Sequence, residues 1–340
     1  MKAFYSDHFV LPLPEGHKFP MAKYSRLRER ILAEGIVAPE DLHEAPLASL
    51  DDLRLVHDPG YVDAVANGTV RPEIQRRIGF PWSPQMVERS RRSVGATIAA
   101  ARAALDDGMA ANLAGGTHHA FADRGEGFCV FNDVAVGVRV LQRNGHANRI
   151  AIVDLDVHQG NGTAAIFSGD PSVFTFSMHG DKNYPFKKEV SDLDVHQGNG
   201  TAAIFNGDAS VFTFSMHGDK NFPFKKEASD LDVPLADGTG DDEYQSLLQQ
   251  HLPAVLNRHQ PDFVFYLAGA DPFEGDRLGR LKMTIEGLRR RDEIVMEACT
   301  KARLPVAISM SGGYANDVDE IVTIHANTIR TAAGLCSIGV

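Results

Sequence analysis

The sequence predicts an α/β fold, a parallel β-sheet flanked by helices on both faces, with its functional site at the C-terminal ends of the strands. Runs rich in β-branched and aromatic residues, typical of buried strands, lie at residues 149–157, 172–178, 262–270 and 304–310. Helical apolar spacing lies between or after them, at residues 242–258, 285–302 and 316–334. Polar clusters follow three of the strands, which is where such sheets bind ligands.

The N-terminal part of the chain predicts helices. Residues 22–35 and 86–108 have helical apolar spacing and end on Gly35 and Gly108. A prior of ~150 residues per domain would allow two domains, but the 340 residues also fit one large α/β domain. We predict a single catalytic domain over residues 1–340.

Composition is that of a globular protein, with 43% apolar and 23% charged residues. No run approaches the ~18 consecutive apolar residues of a membrane span. The N-terminus lacks the apolar core of a signal peptide. We therefore expect a cytoplasmic protein without a membrane partner. The three cysteines are Cys129, Cys299 and Cys336. Their spacing is too wide for a disulfide framework or a zinc ribbon.

The formal net charge of −11 argues against direct nucleic-acid binding, which needs clustered Lys and Arg. An acidic surface would attract cationic substrates such as polyamines or lysine-rich tails. The same charge also serves ordinary solubility, so both interpretations stay open.

A 38-residue segment occurs twice in tandem, at residues 154–191 and 192–229. The two copies differ only at the pairs Ser168/Asn206, Pro171/Ala209, Tyr184/Phe222 and Val190/Ala228. Two copies do not make a solenoid, which needs about three or more repeats. The letters DLDV appear a third time at 230–233. The simplest hypothesis is unequal recombination in a parent shorter by one copy, although an engineered or misassembled sequence would look the same.

Asp154, Asp156 and His158 occupy alternate positions directly after the apolar run AIV. On a strand, alternate residues share a face, so the three side chains would project together. Burying such groups is unfavourable unless they pair or bind a cation, and Asp oxygen and His nitrogen are ordinary zinc ligands. The alternative is a polar strand end whose groups satisfy one another.

The motif GGTHH at 115–119 predicts a tight loop that aims His118 and His119 at one point. A histidine pair can supply acid–base chemistry, although a surface pair is equally compatible with the letters. Asp271 follows the strand predicted at 262–270, where a third metal ligand would lie, or where a turn or helix-capping aspartate would lie.

Two glycine-containing motifs would complete a pocket. In SGGY at 311–314, Gly312 and Gly313 let the backbone approach a ligand, and Tyr314 can donate a hydrogen bond to a developing oxyanion. In GEGFCVFND at 125–133, Phe128 with the adjacent Gly127 would line an apolar channel. Cys129 is predicted to pack rather than to act as a nucleophile, since nothing obvious lowers its pKa. The alternative for SGGY is an ordinary loop, and the alternative for GEGFCVFND is a glycine turn that leads into a helix.

Taken together and in this order, GGTHHA, GFCVFND, VDLDVHQGNGT, LAGADP and SGGY resemble the histone deacetylase superfamily. The bacterial branch related to class IV deacetylases is the most similar, because FPMAKY, SMHGDKNYPF and SDLDVPL are also present. The resemblance extends over essentially the whole chain once one repeat is discounted. It implies an arginase/deacetylase-type sheet and a zinc-dependent deacylase.

The resemblance also implies a role for each site residue. The zinc ligands fall on Asp156, His158 and Asp271, and the catalytic histidine dyad falls on His118 and His119. The other catalytic positions fall on Asp154, which supports the first histidine, Asn161, which orients the second, and Tyr314. The chain has Ser-Gly-Gly at 311–313 where many relatives have three glycines.

The implied reaction is hydrolysis of an acyl-amide bond. Zinc polarises the carbonyl and activates water, His119 with His118 beside it moves the protons, and Tyr314 stabilises the oxyanion. The implied substrate is a small-molecule or peptide acyl-amine: acetyl-lysine, an acetylpolyamine or a longer acyl-lysine. Fe²⁺ in place of zinc, and a structural K⁺ at Asp154 and Ser177, are further expectations.

The second copy repeats the ligand letters at Asp194 and His196. The first copy follows RIAIV, a good buried strand, whereas the second follows KKEVS, a poor one. We therefore predict that Asp156 and His158 are the ligands. Either copy could supply the next strand, at 172–179 or 210–217.

Two other functions remain open. An arginase-type ureohydrolase would use two metals, and the histidine pair with Tyr314 favours the deacylase over it. An inactive acyl-amine binding protein, with a site disturbed by the inserted copy, is the second. The sequence leaves the acyl chain, the amine and oligomerisation open.

Overall fold

Eight parallel strands form one sheet in the computed structural model, which describes residues 1–9, 11–181, 183–184 and 230–338. Along the chain the strands are β1 (Ala3–Tyr5), β2 (Leu42–Glu44), β3 (Met109–Asn112), β4 (Ile150–Asp154), β5 (Val173–Gly180), β6 (Leu231–Leu235), β7 (Phe263–Leu267) and β8 (Val306–Ser309). Their order across the sheet is β2-β1-β3-β8-β7-β4-β5-β6. The predicted parallel sheet is confirmed.

Helices connect the strands and cover both faces of the sheet. They are α1 (Ala22–Ala33), α2 (Leu50–Leu53), α3 (Pro59–Asn67), α4 (Pro72–Ile78), α5 (Pro84–Asp107), α6 (Asp133–Arg143), α7 (Asn161–Phe167), α8 (Asp241–His259), α9 (Ile285–Lys301) and α10 (Val318–Ile338). Within the described residues, no helix is both long enough and apolar enough to cross a membrane.

The alternation of side chains along β4 shows how the two layers pack. Ala151 and Val153 belong to the apolar core that includes residues of α1, α8, α9 and α10. Ile150 and Ile152 belong to the opposite core, built with α5 and α6. Because both faces of the strand are buried, its sequence is apolar throughout, as is typical of a parallel sheet.

The first repeat copy supplies all of β5 and Asp154, the last residue of β4. On its other side β5 pairs with β6, which begins at Leu231 within the third DLDV. The second copy, residues 192–229, including Asp194 and His196, lies outside the described residues. The strand that follows β4 in the chain and pairs with it is β5, residues 173–180, from the first copy.

The extent predicted for the fourth strand is wrong, because β4 ends at Asp154 rather than at residue 157. The backbone N–H of Asp156 donates to Oδ1 of Asp154 at 3.2 Å, and that of His158 donates to Oδ1 of Asp156 at 2.9 Å. Short carboxylate side chains compete for backbone donors in this way. Asp156 and His158 thus project from a turn beyond the strand rather than from one strand face.

Candidate metal and catalytic site

The loops after β3, β8, β7 and β4 meet at one edge of the sheet, because these four strands are neighbours. The β4 loop carries Asp156 and His158, and the β7 loop carries Asp271. The β3 loop carries the two adjacent histidines, and the β8 loop carries Tyr314. The parallel topology therefore assembles residues that are far apart in the chain.

Asp156, His158 and Asp271 each bring a ligand atom within 4.8 Å of the others, and all three residues are buried. Nδ1 of His158 lies 3.0 Å from Oδ1 of Asp156 and 3.2 Å from Oδ2 of Asp271. Tetrahedral zinc with bonds of ~2.0–2.1 Å separates its ligand atoms by about 3.3 Å. Donor types and spacings therefore fit zinc. The described part of the chain holds no second group of this kind.

Hydrogen bonds orient the two carboxylates. Oδ2 of Asp156 accepts from the Ser311 hydroxyl at 2.7 Å and from the Gly312 N–H at 2.8 Å. Oδ1 of Asp271 accepts from the Val157 N–H at 3.0 Å. In each carboxylate the other oxygen faces His158. A Cβ at Gly312 would lie 1.8 Å from Oδ2 of Asp271, so this close approach requires glycine.

The charge of the three groups also favours a cation. Burial and the neighbouring Asp156 raise the pKa of Asp271 to about 7. Burial lowers the pKa of His158, but its contacts with Asp156 and Asp271 outweigh this effect and raise it to about 10. The raised pKa of Asp271 reflects in part its repulsion by the carboxylate of Asp156, and a divalent ion bound between the two carboxylates would relieve this repulsion.

His118 and His119 lie against each other at the same edge, with ring centroids 4.2 Å apart and ring planes tilted by 50°. Nδ1 of His118 lies 2.7 Å from Oδ2 of Asp154, and Nδ1 of His119 lies 2.7 Å from Oδ1 of Asn161. Burial lowers the pKa of His118, but Asp154 and Asp156 outweigh it and raise the value to about 9. Burial, and then the charges of His118 and His158, hold the pKa of His119 well below its usual value. The dyad thus combines one charged and one neutral imidazole.

Tyr314 faces His158, with ring centroids 6.5 Å apart. Burial raises its pKa well above the usual value, so the hydroxyl remains a hydrogen-bond donor. Its backbone N–H donates to Oδ2 of Asp276 at 2.6 Å, and its carbonyl accepts from Nε of Arg277 at 2.8 Å. Both anchors follow Asp271 closely in sequence, and neither was predicted.

A pocket reaches these groups, and most of the expected substrate-binding residues line it. Gly127, Phe128 and Gly312 line the pocket, whereas Gly313 is not among its lining residues. Phe128 has a φ of 65°, a left-handed conformation, and packs against Tyr314 with ring centroids 6.2 Å apart. Cys129 also lines the pocket, and burial raises the pKa of its thiol, which fits a packing role.

Three expected supporting residues lie outside the pocket lining. Asp154 and Asn161 lie behind the dyad and contact it through the hydrogen bonds given above. Ser177 lies opposite Asp154 in the β4–β5 register, and its hydroxyl is 3.0 Å from Nδ1 of His179. The potassium expectation stays a prediction.

Two buried cations near the site had no predicted role. Nζ of Lys23 lies in the pocket wall and donates to the carbonyls of Ser311 and Gly313 at 3.3 and 3.4 Å. Nη1 of Arg291 donates to the carbonyl of Gly269 at 2.6 Å and to that of Leu155 at 3.3 Å. The FPMAKY motif contains Lys23, whereas Arg291 stands in an RRRD run that looks like an exposed helix face.

Comparisons with known proteins identify the family and the fold of the chain. The model of the histone deacetylase domain family matches residues 17–192 and 189–329, two ranges that overlap at the junction of the repeat copies. An uncharacterized protein of Picosynechococcus sp. is 43% identical over 96% of this chain and 97% of its own length. A probable deacetylase of Methanothermobacter thermautotrophicus is 31% identical over 92% of this chain and 86% of its own. The crystal structure of a histone deacetylase homologue from Aquifex aeolicus superimposes with a TM-score of 0.77, at 23% identity, over 98% of this chain and 84% of that one.

Proposed function

This chain belongs to the histone deacetylase domain family, and from that premise we propose that it is a zinc-dependent deacylase that hydrolyses an acyl-amide bond. One observation carries the proposal: a metal-ligand trio, a histidine dyad and a tyrosine converge on one buried pocket. These residues are Asp156, His158, Asp271, His118, His119 and Tyr314. The similarity to a probable deacetylase supports the same reaction class.

The side chains have complementary roles in this reaction. Zinc held by Asp156, His158 and Asp271 would supply Lewis-acid activation of the acyl carbonyl and of the attacking water. His119, neutral because burial and neighbouring charges lower its pKa, takes a proton from that water. The hydroxyl of Tyr314 donates a hydrogen bond to the carbonyl oxygen as negative charge develops there. The carboxylate of Asp154 keeps the ring of His118 protonated, so His118 holds a positive charge beside His119 during the reaction.

The reaction adds one water molecule across the C–N bond of the amide. The water oxygen bonds to the acyl carbon, the C–N bond breaks, and the nitrogen leaves with the proton that His119 had taken. The products are a carboxylic acid and a free amine. The substrates we propose are acetyl-lysine, an acetylpolyamine or a longer acyl-lysine, and the net charge of −11 suits a cationic amine.

The two competing functions have less support. A ureohydrolase needs a second metal, and the described residues offer one ligand trio, with Asp154 already engaged by His118. An inactive binding protein would need a disturbed site. The contacts between the ligand trio and its supporting groups, such as that of Ser311 with Asp156, argue for an intact one.

Turnover of the three acyl-amine classes by the zinc-loaded full chain tests the proposal. The variants are His119→Gln and, as a matched control, His146→Gln, which replaces an exposed histidine away from the pocket. We expect loss of a general base to lower kcat by roughly 10²- to 10⁴-fold, and the control to match the wild type. A wild type that binds zinc but hydrolyses none of these amides would instead support the inactive binding protein.

A further inference from the structure

Glu126 lies directly behind the second histidine of the dyad, although the sequence assigned it no role. Its Oε1 accepts from Nδ2 of Asn161 at 2.9 Å. Oδ1 of the same amide faces Nδ1 of His119 at 2.7 Å. Asn161 is buried, and the Glu126 side chain is only 13% exposed. One amide therefore bridges a carboxylate and an imidazole with little access for water.

The chemistry of the three groups sets the direction of this chain of hydrogen bonds. A carboxylate only accepts, so the NH₂ end of the Asn161 amide must face Glu126. The rotated amide would place two acceptor oxygens against each other at that contact. The carbonyl end consequently faces His119, and Nδ1 of His119 must carry a hydrogen to donate. A neutral imidazole carries one hydrogen, so Nε2 is left with a free lone pair.

Other contacts hold Glu126 in place. The hydroxyl of Tyr184, whose ring meets that of His119 edge-on with centroids 4.8 Å apart, hydrogen-bonds the Glu126 side chain. Nε of Arg124 lies 3.8 Å from Oε2 of Glu126. A β-bridge joins the backbone of Glu126 to that of Cys129. These contacts fix the position of the Glu126 carboxylate independently of its hydrogen bond with Asn161.

We propose that Glu126 is a positioning residue that selects the Nδ1–H tautomer of His119 by fixing the orientation of the Asn161 amide. Nε2 then remains free to accept a proton from water. The catalytic consequence rests on the proposed function, whereas the tautomer itself does not. Asn161 alone could present either end to His119, so the selectivity comes from the carboxylate behind it.

The wild-type protein gives the first test without any substitution. Long-range ¹H–¹⁵N spectra of the imidazole rings distinguish which nitrogen carries the hydrogen, with His119 assigned by the signals lost in His119→Gln. We expect hydrogen on Nδ1 of His119. Hydrogen on Nε2 would overturn the proposal, whether or not the protein proves to be a deacylase.

Three variants test the origin of the tautomer. Glu126→Gln can donate as well as accept, so the Asn161 amide can rotate; we expect both tautomers and a kcat lower by about 10- to 100-fold, with little change in KM. Asn161→Asp alone places two carboxylates together and should also lower kcat. The double variant combines Glu126→Gln with Asn161→Asp. Its carboxylate at position 161 accepts one hydrogen bond from His119 and one from the amide introduced at position 126. The Nδ1–H tautomer and most of the lost kcat should therefore return.

The rescue separates positioning from a merely structural role. If Glu126 only stabilised the fold, the two losses would multiply in the double variant, and that result would overturn the proposal. Unchanged tautomer and kcat in Glu126→Gln would overturn it as well. Glu73→Gln is the matched control, because it breaks an exposed glutamate pair with Arg76 and should leave both readouts at wild-type values.

Discussion

Nδ1 of His118 lies 2.7 Å from a carboxylate oxygen of Asp154, whereas Nδ1 of the adjacent His119 lies at the same distance from the neutral amide of Asn161. Both imidazoles are buried, which lowers both pKa values, but the carboxylates reverse the effect for His118. One ring therefore remains charged at neutral pH while its neighbour remains a base. Environments that separate two pKa values in this way commonly assign acid and base roles.

The pH profile of kcat/KM should reflect this pair. We expect its acidic limb below pH 6.5, where His119 would become protonated, and its basic limb near 9, where His118 loses its proton. In Asp154→Asn the pKa of His118 falls, because no carboxylate at position 154 then opposes the effect of burial. With less charge beside it, the pKa of His119 rises. The plateau should therefore narrow from both sides, and an unchanged profile would show that Asp154 does not control the dyad.

Ser311 is expected to tune metal affinity through Asp156. Ser311→Ala and Ser311→Gly both remove the hydroxyl that donates to Asp156, so each should weaken zinc binding by about 10- to 100-fold in a chelator competition. Ser311 has a φ of 56°, and glycine relieves this left-handed conformation by on the order of 1 kcal/mol. The glycine variant should thus unfold at a higher urea concentration than the alanine variant. Equal zinc affinity in the wild type and both variants would show that the Ser311 hydroxyl does not tune metal binding by Asp156.

Gly312 leaves no room for a side chain. In Gly312→Ala the new Cβ would overlap Oδ2 of Asp271, so we expect zinc binding and turnover to be lost together. Gly334→Ala is the control, because this glycine lies in helix α10 and a Cβ there would meet nothing within 4 Å. Alanine there should stabilise the protein by ~0.5–1 kcal/mol. Zinc titration and thermal unfolding of both variants provide the comparison.

Arg291 stabilises the loops that carry the ligands. It is fully buried, pairs with Asp292 at 2.8 Å, and donates to the carbonyls of Leu155 and Gly269. Arg291→Met leaves the Asp292 charge buried without its partner, so the free energy of unfolding should fall by ~3–5 kcal/mol. Arg290→Met, on the exposed face of the same helix, should change it by less than about 1 kcal/mol. Similar values for the two variants in urea unfolding would contradict this role.

The sequence predicted the fold wherever strands were long and apolar. The runs around Ile152 and Phe265 are fully buried and were recognised, whereas β1 and β2, of three residues each, carry too little pattern. β4 was predicted to extend beyond Asp154 because the letters alternate. The aspartate side chains instead take the backbone donors that a longer ladder would need.

The site could be predicted where its residues lie in contiguous motifs. The structure brings the ligand trio, the dyad and Tyr314 together, although their chemical roles stay predictions. Ser311, Glu126 and Arg291 were missed as functional groups because their contacts depend on loops that only the folded sheet brings together. The repeat adds a further ambiguity, since identical letters at Asp156 and Asp194 do not specify which copy enters the sheet.

Zinc content and turnover of a fluorogenic acetyl-lysine peptide, measured side by side in the wild type, Asp156→Ala and Asp194→Ala, test the site most directly. The first copy supplies Asp156 and His158 of the ligand trio, directly after β4, so wild type and Asp194→Ala should each bind one zinc per chain and hydrolyse the peptide. Asp156→Ala should lose both properties. Loss of zinc and turnover in Asp194→Ala, with both retained in Asp156→Ala, would contradict the placement of the metal at Asp156, His158 and Asp271.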